Sequence, residues 1–417
     1  MRRPWAALPD LICPSPRRLA ADEPLPARYA PMGASQSYGD AAIALDGVTP
    51  LAAARGLLRF DAVRGRVRVA AGTPVAEIVA AVGPHGWMLP AIPGAARATI
   101  GGVVAVDAHG KDADHGPIGR HVRAVIVRRS DVEGPLRLTP ADPRFAAVVG
   151  GFGAGGLITE IELALYRIAG PAVRVTTIPF ADPAEWLSIA EERRANLVVA
   201  SMCLDGSRTD GTGAIALGRW SEGPIDFTPA DALPLPPLPL LRGPLGRTVL
   251  GLRALLAHRA SERLVSARSA LWPMAGAEAY GPLAGGIVQH HARLPRATAI
   301  DVIAEMTALL RRAGVVSPLV ALKRFTAPSL APLGFVAPGV SIAIDLPLDG
   351  VSTHALLRRL ATLTVEAGGA VYLAKDSGGI DPALAARAYP RAAEALVYRD
   401  PASHPAILTR LFPELLR

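Results

Sequence analysis

Only three of the 44 basic residues in this 417-residue chain are lysine, namely Lys111, Lys323 and Lys375. The remaining cations are arginine, which stays charged, whereas a lysine amine shifts its pKa readily when buried. A lysine that persists in such an arginine-rich background marks a position where arginine would not serve, although any one of the three alone could be a solvated surface residue. Lys375 follows the apolar run Val371-Tyr372-Leu373-Ala374, where an amine could hold an anionic oxygen or help remove the proton of an alcohol. Lys111 lies two residues after His109. An isolated histidine is usually structural, but one beside such a lysine gains weight as a functional group.

These groups need elements to hold them, and glycine-rich stretches supply candidates. Pro31-Met32-Gly33-Ala34-Ser35-Gln36-Ser37-Tyr38-Gly39-Asp40 is a turn of small residues in which clustered N–H groups could make a phosphate nest. Pro93-Gly94 precedes Ala98-Thr99-Ile100-Gly101-Gly102-Val103-Val104-Ala105-Val106-Asp107-Ala108-His109-Gly110-Lys111, where Gly101-Gly102 would let main chain lie against a cofactor. Gly151-Phe152-Gly153-Ala154-Gly155-Gly156 has the G-x-G-x-x-G spacing of dinucleotide-binding turns. That mechanism requires a helix to follow, and Leu157–Leu163 reads as a strand, so the motif predicts a tight turn rather than a Rossmann site.

Composition sets the frame. The chain is long enough for two domains, is 50% hydrophobic and 19% charged, and has a mean hydropathy of +0.30. It contains no apolar run of eighteen residues and no signal-peptide pattern, so neither a spanning helix nor a cleaved leader is expected. Cys13 and Cys203 match no metal-ligand spacing and make no disulfide framework, so no metal is expected. A net charge of +8 favours anionic partners, but aromatics at 5% with no basic stripe argue against nucleic acid. A phosphorylated substrate or an anionic membrane surface fits equally well.

Strands are predicted at Leu57–Asp61 and Arg66–Ala70 around Arg64-Gly65, and a helix at Thr73–Val82 with Thr73 as N-cap and Pro74 first in the helix. Further strands are predicted over Val122–Val127 and Ile158–Leu163. From about residue 170 to 365 the texture becomes that of an antiparallel sheet with helices on one face: strands at Asn196–Met202, Gly285–Ala292 and Ser341–Pro347, helices at Ala297–Ala313 and His354–Ala367. Phe227 to Leu256 is proline-rich and apolar, and reads either as a flap touching a lipid tail or membrane, or as a loop packed on its own domain.

In this order, from about residue 30 onwards, the blocks resemble the decaprenylphosphoryl-β-D-ribose 2-oxidase family of the vanillyl-alcohol-oxidase superfamily. The most specific pieces are Ser37-Tyr38-Gly39-Asp40, His109-Gly110-Lys111, and Ala374-Lys375-Asp376-Ser377 followed by Tyr389-Pro390-Arg391. The resemblance implies an α+β fold: a two-lobed FAD-binding domain of the PCMH type with an inserted antiparallel-sheet substrate (cap) domain. The FAD domain would comprise residues 1–168 with 368–417 returning to it, and the substrate domain residues 169–367, with the Pro-rich loop at 227–256. It further implies that Pro31 to Ala41 hold the pyrophosphate, with Gly94, Thr99 to Gly102, Val106 to His109, Ile158 and Tyr372 completing the flavin site. Lys375 resembles the catalytic lysine, with His109 and Tyr38 beside it; Lys111, Gln289, His291, Lys323 and Phe325 resemble substrate-pocket positions.

The implied reaction oxidises a secondary hydroxyl of a polyprenyl-phosphoryl ribose-like sugar to a ketone, the first half of an epimerisation completed by a short-chain reductase. No histidine occurs in the 31–41 turn, so FAD is expected to be non-covalent. The family's Asn-x-Cys is Ser341 and Ala343 here, its second pocket glutamine is His291, and its pocket tyrosine upstream of Trp272 has no match, which leaves the exact sugar open. A sugar-lactone or alditol oxidase of the same superfamily is the alternative enzyme. A flavin-free basic protein bound to membrane surfaces is the alternative from another class. The expected location is the cytoplasm or the inner membrane face, as a peripheral protein, with the periplasm left open.

Overall fold

The computed structural model describes residues 17–19, 23–41, 43, 50–51, 54–112, 114–204, 210–228, 258–273, 286–317, 319–348 and 350–416. The segment 229–257, which includes most of the Pro-rich loop, lies outside these, as does Cys13.

A short parallel pair, β1 (Arg17–Arg18) and β2 (Pro50–Leu51), comes first. A five-stranded antiparallel sheet follows, built from β3 (Leu57–Asp61), β4 (Arg66–Ala70), β6 (Val122–Arg128), β7 (Pro135–Leu138) and β8 (Leu157–Ala164) in the order β3-β4-β8-β6-β7. In β4 the side chains alternate, Val67 and Val69 inward and Arg66 and Arg68 outward, which is the period-two pattern of a half-buried strand. Gly65 turns β3 into β4 with φ of 61°, and a Cβ there would come within 2.2 Å of the Trp87 ring in β5 (Trp87–Met88), which pairs with β9 (Tyr166–Arg167). The helix Val75–Val82 buries Val75, Ile78, Val79 and Val82 against this sheet, one apolar stripe at helical spacing. Thr73 does not cap it. Its Oγ1 donates to the Ala70 carbonyl at 2.7 Å and accepts from the Gly56 N–H at 2.8 Å, so the hydroxyl is committed to the preceding turn and Pro74 occupies the N-cap place.

The second sheet has eight antiparallel strands. These are β10 (Ala172–Phe180), β11 (Leu197–Met202), β12 (Gly213–Ser221), β13 (Ser261–Ser266), β14 (Ile287–Leu294), β15 (Val320–Phe325), β16 (Gly339–Pro347) and β17 (Ala370–Val371), in the order β13-β10-β12-β11-β15-β16-β14-β17. Helices Pro183–Glu192, Ala299–Arg312 and Gly350–Glu366 pack on one face, burying Trp186, Ile303, Met306 and Leu360 with Val320, Ile342 and Ile344. The first of these helices is capped by Asp182, whose carboxylate accepts from Ala184 and Glu185 N–H.

Strand alternation decides which side chains face away from those helices. Val288, Leu322 and Ile344 belong to the helix-side core, so Gln289, His291, Lys323, Phe325, Ser341 and Asp345 share the opposite face. Register then sets Gln289 opposite Asp345 and Lys323 opposite Ser341. His290, of the other parity, turns to the helix Gly350–Glu366 and bonds Thr364 Oγ1 at 3.1 Å.

The chain's late segments pack on its early ones. Tyr29 forms a parallel bridge with Ser403, and its hydroxyl donates to the buried Asp400 at 2.7 Å. Asp400 also accepts from the Ser130 N–H and hydroxyl. Asp40 receives Arg410 in an ion pair of 2.8 Å and the Ser377 hydroxyl at 3.2 Å. Ala41, Phe152 and Ala154 share a core with Tyr389, Leu396 and Leu411. Among the described residues, no helix is long and apolar enough to cross a membrane.

Candidate functional site

The glycine-rich turn is assembled from three distant pieces of chain. Ser35 and Gly39 adopt left-handed φ values of 54° and 58°. Gly33 sits so close to Thr99 that a Cβ would lie 2.0 Å from its Oγ1, and Tyr38 N–H donates to the Ala374 carbonyl at 3.1 Å. Within the turn Ser35 Oγ donates to Met32 Sδ, and Gln36 Nε2 donates to the Ala34 carbonyl at 2.9 Å. Gly101 presses on Ala71, whose carbonyl accepts its N–H at 2.9 Å, while a Cβ on the exposed Gly94 would meet none of the described residues within 4 Å. The helix Ile100–Ala105 ends at Val106, and Asp107 follows with φ of 46°. The Asp107 carboxylate accepts from Gly119 N–H at 2.7 Å and from the Ser329 hydroxyl, and burial lifts it to about 6.

That bend delivers His109 to the free face of β14–β16. Its ring lies 5.3 Å from His291, 5.0 Å from Phe325, 5.6 Å from Phe335 and 5.2 Å from Tyr372, centre to centre. Tyr372 stacks on Phe335 at 4.6 Å. His291 bonds Ser341 Oγ through Nε2 at 2.8 Å, yet the Nδ1 atoms of both His109 and His291 are buried with no partner among the described residues. Burial first, then the charges of Lys323 and Lys375, pushes His109 well below the usual histidine value, so the ring is neutral. His291 is depressed likewise, by burial first and then by His109 and the two lysines. A buried nitrogen left unpaired costs about 1–3 kcal/mol, so two in one cluster point to a polar partner supplied by a ligand.

Lys375 and Lys323 act electrostatically on both rings. Burial lowers the Lys375 amine to about 8 against the pull of Asp345 and Asp376, and lowers Lys323 to about 8 with help from the Lys375 charge. Lys375 Nζ stands 3.6 Å from the centre of the Tyr38 ring, and Lys323 Nζ donates to the Gly110 carbonyl at 3.1 Å. Burial raises Asp345 to about 6 and Asp376 to about 7. The ring cluster therefore sets two neutral imidazoles beside an amine poised to exchange a proton near neutral pH.

Not every expected residue converges here. Lys111 Nζ donates to the carbonyls of Ala270 and Leu271 at 2.6 Å each, the end of the helix Ala267–Leu271, where unpaired carbonyls attract a cation. It lines a small separate cavity with Leu89, Asp112, Tyr166 and Leu197. Asp40 spends its carboxylate on Arg410 and Ser377, and Ile158 is buried in the core of the first sheet. Motif reading missed Phe335, and it quoted Asp376 and the Asp345 strand without giving either acid a role. An acid inside the apolar strand Ser341–Pro347 was the available signal.

The residues present fit a flavin dinucleotide. A turn of small residues with left-handed backbone suits a pyrophosphate, the described residues leave space over Gly94, and the imidazole nitrogens that find no partner among them can meet the polar edge of a ring system. Residues 18–131 match the FAD binding domain model. The chain is an FAD-dependent oxidase, with FAD as its cofactor.

It is similar to decaprenylphosphoryl-β-D-ribose oxidase of Mycolicibacterium smegmatis, 29% identical over 379 residues that cover 83% of this chain and 80% of the relative. A Streptomyces coelicolor protein named "Uncharacterized protein in mprA 5'region" is 30% identical, with 74% of this chain and 89% of the relative covered. Alditol oxidase of a Streptomyces species is 32% identical over 118 residues, 26% of this chain and 28% of the relative. The chain belongs to the decaprenylphosphoryl-β-D-ribose oxidase family of the vanillyl-alcohol-oxidase superfamily, with an FAD-binding domain of the PCMH type.

Proposed function

We propose that the protein oxidises a secondary hydroxyl of a lipid-linked phosphoryl ribose-like sugar to a ketone, with Lys375 accepting the hydroxyl proton. The observation that carries this is the cluster of side chains: among the described residues, two unpartnered buried imidazole nitrogens lie beside two lysines whose amines are lowered to about 8. FAD, when bound, supplies a two-electron acceptor for the hydride of the carbinol C–H bond. Residues 31–39, Ala41, Gly94, Thr99–Gly102, Val106–His109 and Tyr372 would hold it without a covalent bond. Alcohol oxidation removes one hydride and one proton, so a proton acceptor must stand at the hydroxyl oxygen. Neutral Lys375 amine suits that role, with the Tyr38 ring face fixing its position. His109 and His291 would hold the sugar or the ring edge, Lys323 an anionic oxygen, and the rings of Phe325 and Phe335 would exclude water.

In this reading residues 1–168 and 368–417 form the cofactor domain and 169–367 the inserted substrate domain. A short-chain reductase would consume the ketone, making the pair an epimerase. Peripheral attachment to the inner membrane face would bring the enzyme to a lipid-linked substrate, and the loop of 227–256 is the candidate contact.

The test is anaerobic bleaching of the flavin absorbance with a polyprenyl-phosphoryl ribose, the free ribose phosphate, alditols and sugar lactones. Bleaching by the lipid-linked sugar alone is the expected result. Bleaching by alditols or lactones in its place would transfer the protein to the alternative oxidase class. A colourless protein that cannot be reconstituted with FAD would leave only a membrane-surface role.

A further inference from the structure

Gln289 stands between two acids. Its side-chain amide donates to Asp345 Oδ1 at 2.6 Å, and its main-chain N–H donates to Asp376 Oδ2 at 2.7 Å. Gln289 and Asp345 are direct cross-strand partners on β14 and β16, and Asp376 is the residue after Lys375. All three are buried. Both carboxyls act on the Lys375 amine electrostatically. One glutamine thus fixes two acids that flank the same lysine, from two different elements.

We propose that Gln289 is a positioning residue, which sets the proton affinity of Lys375 by holding Asp345 and Asp376 in place, rather than a contact to the sugar. This rests on the reading of Lys375 as the proton acceptor. A hydrogen bond to a carboxylate favours its ionised form. The Gln289 amide therefore opposes the burial that raises Asp345, and keeps a negative charge near the lysine. Removing that amide lets Asp345 retain its proton to higher pH, the charge supporting the ammonium weakens, and Lys375 loses its proton at lower pH. The groups facing Lys375 are Tyr38 from the 31–41 turn, Asp345 from β16, Asp376 from its own segment and Lys323 from β15, with His109 and His291 neutral beside it. Among these only Asp345 is held by the Gln289 side chain, so the effect should pass through that one carboxyl.

The chain's three lysines make a direct measurement feasible. Holoenzyme carrying isotope-labelled lysine side chains is titrated by NMR, and the Lys375 signal is assigned by its loss in Lys375→Arg. Gln289→Leu and Asp345→Asn should each move the Lys375 titration to lower pH, by about one pH unit. The double variant should move it no further than Asp345→Asn alone, since the two act in series. The acid limb of kcat should move with the NMR titration. A Gln289→Leu variant that raises KM while leaving both kcat and the lysine titration in place would overturn the proposal and make Gln289 a sugar contact. Retained flavin absorbance verifies folding. Should Gln289→Leu fail that check, Asp345→Asn, isosteric and still able to accept from Gln289, decides alone: an unmoved lysine titration sinks the proposal. Full turnover by Lys375→Arg would instead defeat the underlying reading, independently of where the lysine titrates.

Discussion

Lys375 places its ammonium nitrogen 3.6 Å from the centre of the Tyr38 ring, joining a late segment to the first glycine-rich turn. The main chain repeats the link through the Tyr38 N–H on the Ala374 carbonyl. A cation over an aromatic face gains about 0.5–2 kcal/mol, enough to hold a flexible side chain in one place.

Lys375→Ala should retain FAD and lose turnover by about 10²–10⁴-fold, the usual worth of a positioned proton acceptor. Lys375→Arg should fail as well, because a guanidinium stays charged and takes no proton. Visible spectra and steady-state rates check both, and normal turnover in the alanine variant would remove Lys375 from the mechanism.

The pH dependence has a definite sign. Only the neutral amine accepts a proton, and burial lowers the amine to about 8. Turnover should therefore rise with pH and level off above that value. A kcat that stays constant between about pH 6 and 9 would contradict a lysine acceptor.

The buried histidines should cost stability in acid. Their folded values lie well below the usual 6.5, so the unfolded chain binds more protons once the pH drops below that point. Stability from each ring is thus present above pH 6.5 and lost as pH falls. Compared with His291→Gln, the natural chain should lose about 1.4 kcal/mol more between about pH 7.5 and 5.5. Urea denaturation at the two pH values measures the difference, and equal losses would mean that His291 is not held neutral.

Gly33→Ala should lower FAD affinity, because the added Cβ would fall 2.0 Å from Thr99 Oγ1 and force the turn off its helix. Adding Thr99→Ala removes the clashing atom and should restore much of the affinity. Flavin titration of the apoprotein reads both, and a double variant as weak as the single one would refute the steric account.

Arg410→Ala should destabilise the fold by about 3 kcal/mol, since it strands the buried Asp40 carboxylate. Asp40→Asn in that background should recover part of the loss by removing the unpaired charge. Thermal or urea unfolding of the two variants provides the comparison.

Local chemistry was legible in the residues themselves. Period-two alternation marked β4, apolar helical spacing marked Val75–Val82 and Ala299–Arg312, and the strand after Gly156 ruled out a Rossmann turn. What lay beyond reach depends on contacts distant in the chain. Thr73 had the composition of a cap, but its hydroxyl is claimed by Ala70 and Gly56. Lys111 was singled out by scarcity, yet its ammonium ends on the carbonyls of Ala270 and Leu271, some 160 residues away. The Gln289–Asp345 bond follows from the register of β14 on β16, which no single segment encodes.

The joining of the 31–41 turn to Ala374, Ser377 and Arg410 has a consequence for synthesis. The early glycine-rich turn emerges from the ribosome hundreds of residues before the segment that shapes its other wall. The Ala374 carbonyl reaches the Tyr38 N–H only after residue 374 is made, and the Arg410 guanidinium reaches Asp40 later still. Cofactor capture must therefore be a late event, following release of nearly the whole chain, and a nascent polypeptide stalled before residue 374 should not retain flavin.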